Sequence, residues 1–349
     1  MSGRLLEVQG LVKHFPVRAG LLGRTGEVVR AVDGVDFGVE RGRSFGLVGE
    51  SGCGKSTLGR ALLRLIEPTA GRVQLDGVDI TGLGASELKA QRRNMQMVFQ
   101  DPYASLSPRR TIRQILREPL DLHHIRARKH REDRVRELLD TVGLSAGALD
   151  RYPHEFSGGQ RQGIGIARAL AVEPKLIVAD EAVSALDVSV QSQVLNLLAD
   201  LQRELDIALV FISHDLAVVQ HVCHEVGVMY LGKLVEQAPT EQLFSNPRHP
   251  YTRALLDAVP LPDPTRRGGL NALPGEVPSA TAPPPGCAFH PRCPRAMPVC
   301  SDQAPRTINL QADGYSGGSS HRVVCHLHDP TVESGPARQT GHKTSGEPP

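Results

Sequence analysis

Short, nearly continuous apolar runs separated by longer amphipathic stretches organise the first two thirds of the chain. Besides an apolar run at 95–99 (MQMVF), residues 44–48 (SFGLV), 176–180 (LIVAD) and 208–212 (ALVFI) are too short for helices and too apolar for half-exposed strands. They read as buried strands of a parallel sheet. Between them, residues 57–66 place Leu58, Leu62, Leu63 and Ile66 on one side, which predicts a helix. Residues 161–171 and 216–223 also carry helical patterns. Strands alternating with helices predict an α/β fold up to about residue 238.

From Pro239 the texture changes. Pro247, Pro250, Pro260, Pro262, Pro264, Pro274, Pro278 and the run 283–285 forbid long helices and central strands. A second, proline-rich unit is expected over 239–328, followed by a polar, disordered tail at 329–349. The length of 349 residues suits about two domains at roughly 150 residues each.

Forty Lys and Arg against 38 Asp and Glu leave a formal charge of +2. That balance argues against a dedicated nucleic-acid binder, which carries a basic excess. The charge run at 126–134 (RARKHREDR) reads as a solvated face. No apolar run reaches 18 residues, so no transmembrane helix is expected, and no signal peptide is expected at the start. The expected compartment is the cytosol, where six Cys do not imply a disulfide framework.

Candidate chemistry begins after the first buried run. Gly49-Glu50-Ser51-Gly52-Cys53-Gly54-Lys55-Ser56-Thr57 fits G-x-x-x-x-G-K-[ST] between a predicted strand and a predicted helix. Glycines let the backbone curl so that its N–H groups converge on an anion. The helix N-terminus adds partial positive charge, and Lys55 adds a cation for the β/γ-phosphates. Ser56 offers a hydroxyl to Mg²⁺. Cys53 reads as a small filler inside the loop.

The run at 176–180 ends in Asp180 and Glu181, placing two carboxylates where open α/β sheets bind ligands. Asp180 suits Mg²⁺, and Glu181 suits a general base for an attacking water. His214 follows the run at 208–212 and could reach a γ-phosphate. Ser157-Gly158-Gly159-Gln160 opens the predicted helix at 161–171 and forms a second backbone anion site, with Ser157 as N-cap.

Together these motifs, in this order, resemble the ATP-binding cassette (ABC) ATPases over about residues 5–240. The resemblance implies a P-loop cassette with a RecA-like core, an antiparallel β subdomain and an α-helical signature subdomain near 101–172. It also implies a glutamine-loop role for Gln100, toward Mg²⁺ and water. Ser184–Asp187 looks like the family's D-loop, and Phe15 sits in the region of the aromatic that stacks on adenine. Each ATP is then expected between the phosphate loop of one subunit and the signature of another. Two departures stand out: Ala182 where the family carries Pro, and Gly163 inside the signature helix. Neither removes a phosphate, metal or water contact, so they bear on rate more than on reaction.

GESGCGKST (49–57), FQDPYASLSPR (99–109), HPYTRALLDAVP (249–260) and the segment 273–300 resemble the ATP-binding subunits of oligopeptide/dipeptide importers, a group that includes nickel and glutathione importers. This implies a second homologous ATPase subunit in a heterodimer, or a second copy in a homodimer. It also implies two membrane permease subunits, an extracytoplasmic solute-binding protein, and a peripheral position on the cytoplasmic face of the inner membrane. A soluble ABC ATPase of DNA repair or translation is the alternative, although such chains carry two cassettes or a long coiled coil. A silent regulatory subunit is another, and the intact Lys55, Asp180, Glu181 and His214 oppose it.

Cys287, Cys293, Cys300 and Cys325 are spaced C-x5-C-x6-C-x24-C, without a C-x-x-C pair. Four thiolates suit a [4Fe–4S] cluster, which the resemblance also suggests. Zinc, with His290 or His326 substituting, and four free thiols are the alternatives. Cys223 lies in the helical pattern at 216–223 and reads as core.

Overall fold

The computed structural model describes residues 3–19, 23–258, 275–310 and 321–332. The tail expectation therefore lies mostly outside the described residues. Twelve strands are present among them: β1 (Arg4–Ala19), β2 (Gly23–Glu40), β3 (Ser44–Val48), β4 (Ala70–Leu75), β5 (Val78–Asp79), β6 (Met95–Val98), β7 (Leu176–Asp180), β8 (Ala208–Ile212), β9 (Glu225–Tyr230), β10 (Lys233–Pro239), β11 (Thr307–Leu310) and β12 (His321–Val324). The helices are α1 (Lys55–Leu62), α2 (Ala85–Gln91), α3 (Pro102–Ser105), α4 (Ile112–Leu122), α5 (Arg131–Thr141), α6 (Gly158–Leu170), α7 (Val188–Leu205), α8 (Leu216–Val222), α9 (Thr240–Ser245), α10 (Pro250–Asp257) and α11 (Val299–Asp302).

The strands form two sheets. One is four-stranded and antiparallel, in the order β2-β1-β4-β5. The other runs β11-β12-β10-β9-β3-β8-β7-β6, with β9, β3, β8, β7 and β6 parallel. Every residue of β3, β7 and β8 is buried, as expected for strands covered on both faces. Alternation decides which core each side chain joins. Leu176 and Val178 pack with α1 (Leu58, Leu62) and the antiparallel sheet (Leu6, Leu11). Ile177 and Ala179 pack with Leu116, Leu138 and Ile164 of α4, α5 and α6.

Several expected boundaries shift. The first helix starts at Lys55, directly on the loop, and ends at Leu62 rather than residue 66. Arg64 takes a left-handed φ of 48°, which ends the helix, and its guanidinium bonds Ile80 O and Leu83 O. The charge run at 126–134 is not solvated throughout. Arg131 is buried, donating to Ile125 O at 3.1 Å and to Asp121 Oδ1 at 2.5 Å. Cys223 is buried at the end of α8, where burial raises its thiol pKa.

The proline-rich segment does not stand apart from the sheet. β12 pairs antiparallel with β10, and β11 extends it. Among the described residues, no helix is long and apolar enough to cross a membrane.

Candidate nucleotide site

Four loops meet the carboxyl ends of β3, β6, β7 and β8. After β3, Gly49, Gly52 and Gly54 adopt φ values of 151°, 81° and 108°. At Gly54 a Cβ would lie 1.9 Å from Ala31 O, so only glycine allows the backbone this close. The Lys55 ammonium is buried in the curl, donating to Gly49 O at 2.6 Å and Glu50 O at 3.0 Å. Cys53 is buried beneath it; burial raises the thiol pKa against the pull of Lys55. That fits a filler rather than a nucleophile. Ser51 and Gly52 are exposed, and Thr57 continues α1.

Ser56 Oγ donates to Asp180 Oδ1 at 2.8 Å. Burial pushes the Asp180 carboxyl upward, and the Ser56 hydrogen bond opposes that push. Glu181 leaves β7 with a left-handed φ of 47°, anchored by its N–H on Ile212 O at 3.0 Å. This turn aims its carboxylate at Gln100, whose Nε2 donates to Glu181 Oε2 at 2.8 Å. His214 Nδ1 lies 3.4 Å from the other carboxylate oxygen. Gln100, Glu181 and His214, drawn from three strands, thus form one cluster, and Ser56 and Asp180 an adjoining pair.

The signature segment is built separately. Ser157 caps α6, accepting from Gln160 N at 3.3 Å while Gln160 Oε1 accepts from Ser157 N at 3.1 Å. Gly158 opens the helix. A Cβ on Gly159 would lie 2.0 Å from Val190 Cγ1, so that glycine lets α6 approach α7. Asp187 caps α7 by accepting from Val190 N at 3.0 Å, placing it beside the signature. Ser157 and Gln160 are exposed. Phe15 lies on β1 with its ring 37% exposed and Lys13 Nζ 4.8 Å from the ring centre. Gly163 has space: an added Cβ would meet Val142 Cβ at 3.5 Å. Ala182 is buried.

Two residues that the sequence reading did not place at the site reach it from the C-terminal side. The Tyr251 hydroxyl, fully buried, accepts from Glu50 N at 2.9 Å. Arg292 donates to both Glu50 carboxylate oxygens, at 2.7 and 2.9 Å. The HPY segment (249–251) was visible in the sequence as a motif, but its spatial target was not.

The four cysteines come near enough to feel one another's charge, and Cys287 N donates to Cys300 O at 2.8 Å. Burial is the main influence on three of the thiols. It pushes Cys287 up to about 11 and Cys325 up to about 12, and raises Cys293. All are free. Among the described residues, no three His, Cys, Asp or Glu side chains are arranged to hold a metal ion. His290 Nδ1 and His326 Nε2 lie 2.9 and 2.8 Å from the carbonyl oxygens of Cys287 and Gln303. The expected [4Fe–4S] or zinc centre thus has no support among the described residues.

Comparison with known proteins fits the nucleotide reading. A family described as ABC transporter matches residues 32–184, and one described as oligopeptide/dipeptide transporter, C-terminal region, matches residues 235–300. A probable peptide ABC transporter ATP-binding protein of Sinorhizobium fredii is 55% identical over 95% of this chain and 92% of its own. The oligopeptide transport ATP-binding protein AppF of Bacillus subtilis is 50% identical over 93% and 97%. A solved ATP-binding cassette, dimeric in a post-hydrolysis state with ADP and Pi, superposes with a TM-score of 0.60 at 28% identity, covering 67% of this chain and 98% of that one. These comparisons favour a transporter over a soluble repair or translation ATPase, and the chain belongs to the ATP-binding proteins of ABC transporters, in the group that carries the oligopeptide/dipeptide C-terminal region.

Proposed function

We propose that this chain binds and hydrolyses ATP at the loops described above and thereby drives import of di- or oligopeptides through a membrane permease. The observation that carries the reading is the convergence of the glycine-rich loop, the Ser56–Asp180 pair and the Gln100–Glu181–His214 cluster at neighbouring strand ends.

Residues 49–57 hold the triphosphate through backbone N–H groups, with Lys55 leaving its loop carbonyls for the β/γ-phosphates. Ser56 and Asp180 are hard oxygen donors that fit Mg²⁺, with Gln100 at its water shell; the ion supplies charge neutralisation across the phosphates. Glu181, steadied by Gln100, orients a water and takes its proton as that oxygen bonds the γ-phosphorus and the bond to ADP breaks. His214 donates to the γ-phosphate oxygens. Phe15 stacks on adenine.

Ser157, Gln160 and Asp187 are exposed on a different helix pair, with Gly158 and Gly159 half-buried between them. They complete the site of a facing cassette, so ATP closes a dimer and hydrolysis reopens it. The facing cassette is a second homologous ATPase subunit, or another copy. Two permease subunits and an extracytoplasmic solute-binding protein complete the assembly, and the chain works at the cytoplasmic face of the membrane. Nothing in this mechanism uses a metal at the cysteines, whose iron and zinc content is measurable on anaerobically purified protein.

The test is reconstitution of the chain with its permease and solute-binding protein in liposomes. ATP-dependent uptake of labelled di- or oligopeptide, lost with Glu181→Gln, is expected. ATP hydrolysis that never couples to peptide uptake would defeat the peptide assignment.

A further inference from the structure

The phosphate loop contains a carboxylate, Glu50, one residue after its first glycine. A free carboxylate beside a triphosphate opposes binding, since like charges at close range repel strongly where water is partly excluded. In this chain that charge is met from the C-terminal side. Both Glu50 oxygens receive hydrogen bonds from Arg292, 242 positions further along the chain, at 2.7 and 2.9 Å. The Arg292 side chain is only 4% exposed. Such a fork-to-fork pair fixes direction as well as charge. The rest of Glu50 is also held: its N–H donates to the Tyr251 hydroxyl at 2.9 Å, and its carbonyl accepts from Lys55 at 3.0 Å.

Arg292 is itself fixed by the cysteine-bearing segment. It ends a helical turn (His290–Arg292) in which its N–H donates to Phe289 O at 3.0 Å. Phe289 is buried, edge-on to Tyr230 at the end of β9 and tilted against Tyr251, with both ring centres 5.3 Å away. The Cys287–Cys300 backbone bond ties the start of that turn to α11.

We propose that Arg292 is a positioning residue for nucleotide binding: it neutralises and orients Glu50, so the C-terminal segment sets the affinity of the phosphate loop for ATP and ADP. This rests on the reading of residues 49–57 as that loop. The role makes Arg292 necessary only while Glu50 is negative, which distinguishes it from general packing.

The experiment is fluorescence titration of the full-length chain with N-methylanthraniloyl ATP and ADP, alongside steady-state ATPase kinetics in the assembled transporter. Arg292→Gln should weaken both nucleotides on the order of tenfold, raising KM while leaving kcat within about twofold. Arg292→Lys keeps charge but loses the fork, so an intermediate loss is expected. The decisive variant is Glu50→Gln combined with Arg292→Gln, which should bind nucleotide more tightly than Arg292→Gln alone, because the unneutralised carboxylate is gone. Lys55→Ala tests the underlying reading and should abolish high-affinity binding.

If Lys55→Ala abolishes binding while Arg292→Gln and Arg292→Lys leave it unchanged, the role of Arg292 is overturned. A double variant no better than Arg292→Gln overturns the electrostatic mechanism. Binding retained in Lys55→Ala overturns the phosphate-loop reading beneath both. Circular dichroism establishes that each variant is folded, and Arg292→Lys carries the test if Arg292→Gln is not.

Discussion

Gln100 donates a 2.8 Å hydrogen bond to Glu181 across 81 residues of sequence, and this bond joins the end of β6 to the turn after β7. If Glu181 is the base, Glu181→Gln keeps its shape and loses its proton affinity. Steady-state ATP hydrolysis should then fall by about 10²–10⁴-fold. ATP-bound dimers should accumulate, visible by size-exclusion chromatography with labelled ATP. Unchanged turnover in the purified complex would remove Glu181 from that role.

The Ser56–Asp180 pair makes a separate prediction. Both side chains present oxygen, and their mutual hydrogen bond of 2.8 Å is available to be exchanged for Mg²⁺. Chelation with EDTA should stop hydrolysis, and added Mg²⁺ should restore it. Asp180→Asn should raise the Mg²⁺ concentration needed for half-maximal rate, measured by ATPase titration, while leaving thermal stability largely intact.

Two glycines should respond oppositely to alanine. At Gly54, φ is 108° and the new Cβ would meet a backbone carbonyl, so Gly54→Ala should distort the loop and abolish nucleotide binding. At Gly163, inside α6, the added Cβ would meet Val142 Cβ at an ordinary 3.5 Å, so Gly163→Ala should stabilise the chain by up to about 1 kcal/mol. Denaturant melts and nucleotide titrations of the two variants check the contrast.

His249 carries a pH prediction. It is buried at the N-cap of α10, where its Nδ1 accepts from Tyr251 N at 3.0 Å, and Pro250 occupies the first helical position. Burial lowers its pKa from 6.5 to about 4, against the attraction of Glu236, while His328 pushes the same way as burial. The unfolded chain therefore binds a proton that the folded chain refuses between pH 6.5 and 4. This contribution to stability is complete above 6.5 and is lost as pH falls through that window. His249→Asn keeps a cap acceptor without titrating, so its urea midpoint should vary less between pH 7 and pH 4 than that of the parent chain.

The parts legible in the sequence were those whose chemistry is local. The loop at 49–57, the strand runs 44–48 and 208–212 and the Ser157 cap depend on neighbours within a few residues, and the structure places each where the pattern puts it. The long β1–β2 pairing was not legible from alternation, because its register shifts repeatedly, for example between Val8 and Leu11, and each shift resets the two-residue period. Arg292 and Tyr251 carry no local sign of their target, since Glu50 lies 242 and 201 residues away. Cysteine spacing suggested a metal site, but spacing fixes neither side-chain direction nor protonation.

The pairing of β12 with β10 has a consequence for shortened versions of this protein. Val323 and Arg322 occupy the ladder positions opposite Glu236 and Gln237. The buried Glu236 also accepts from His321 at 2.6 Å, which locks that register. A chain truncated before residue 321 would leave β10 as an open edge with unpaired donors and acceptors, and the buried Glu236 carboxylate would keep the Arg248 and His249 N–H groups but lose its His321 partner. Such an edge recruits strands from other molecules. Truncation should therefore yield aggregation-prone protein rather than a minimal working cassette.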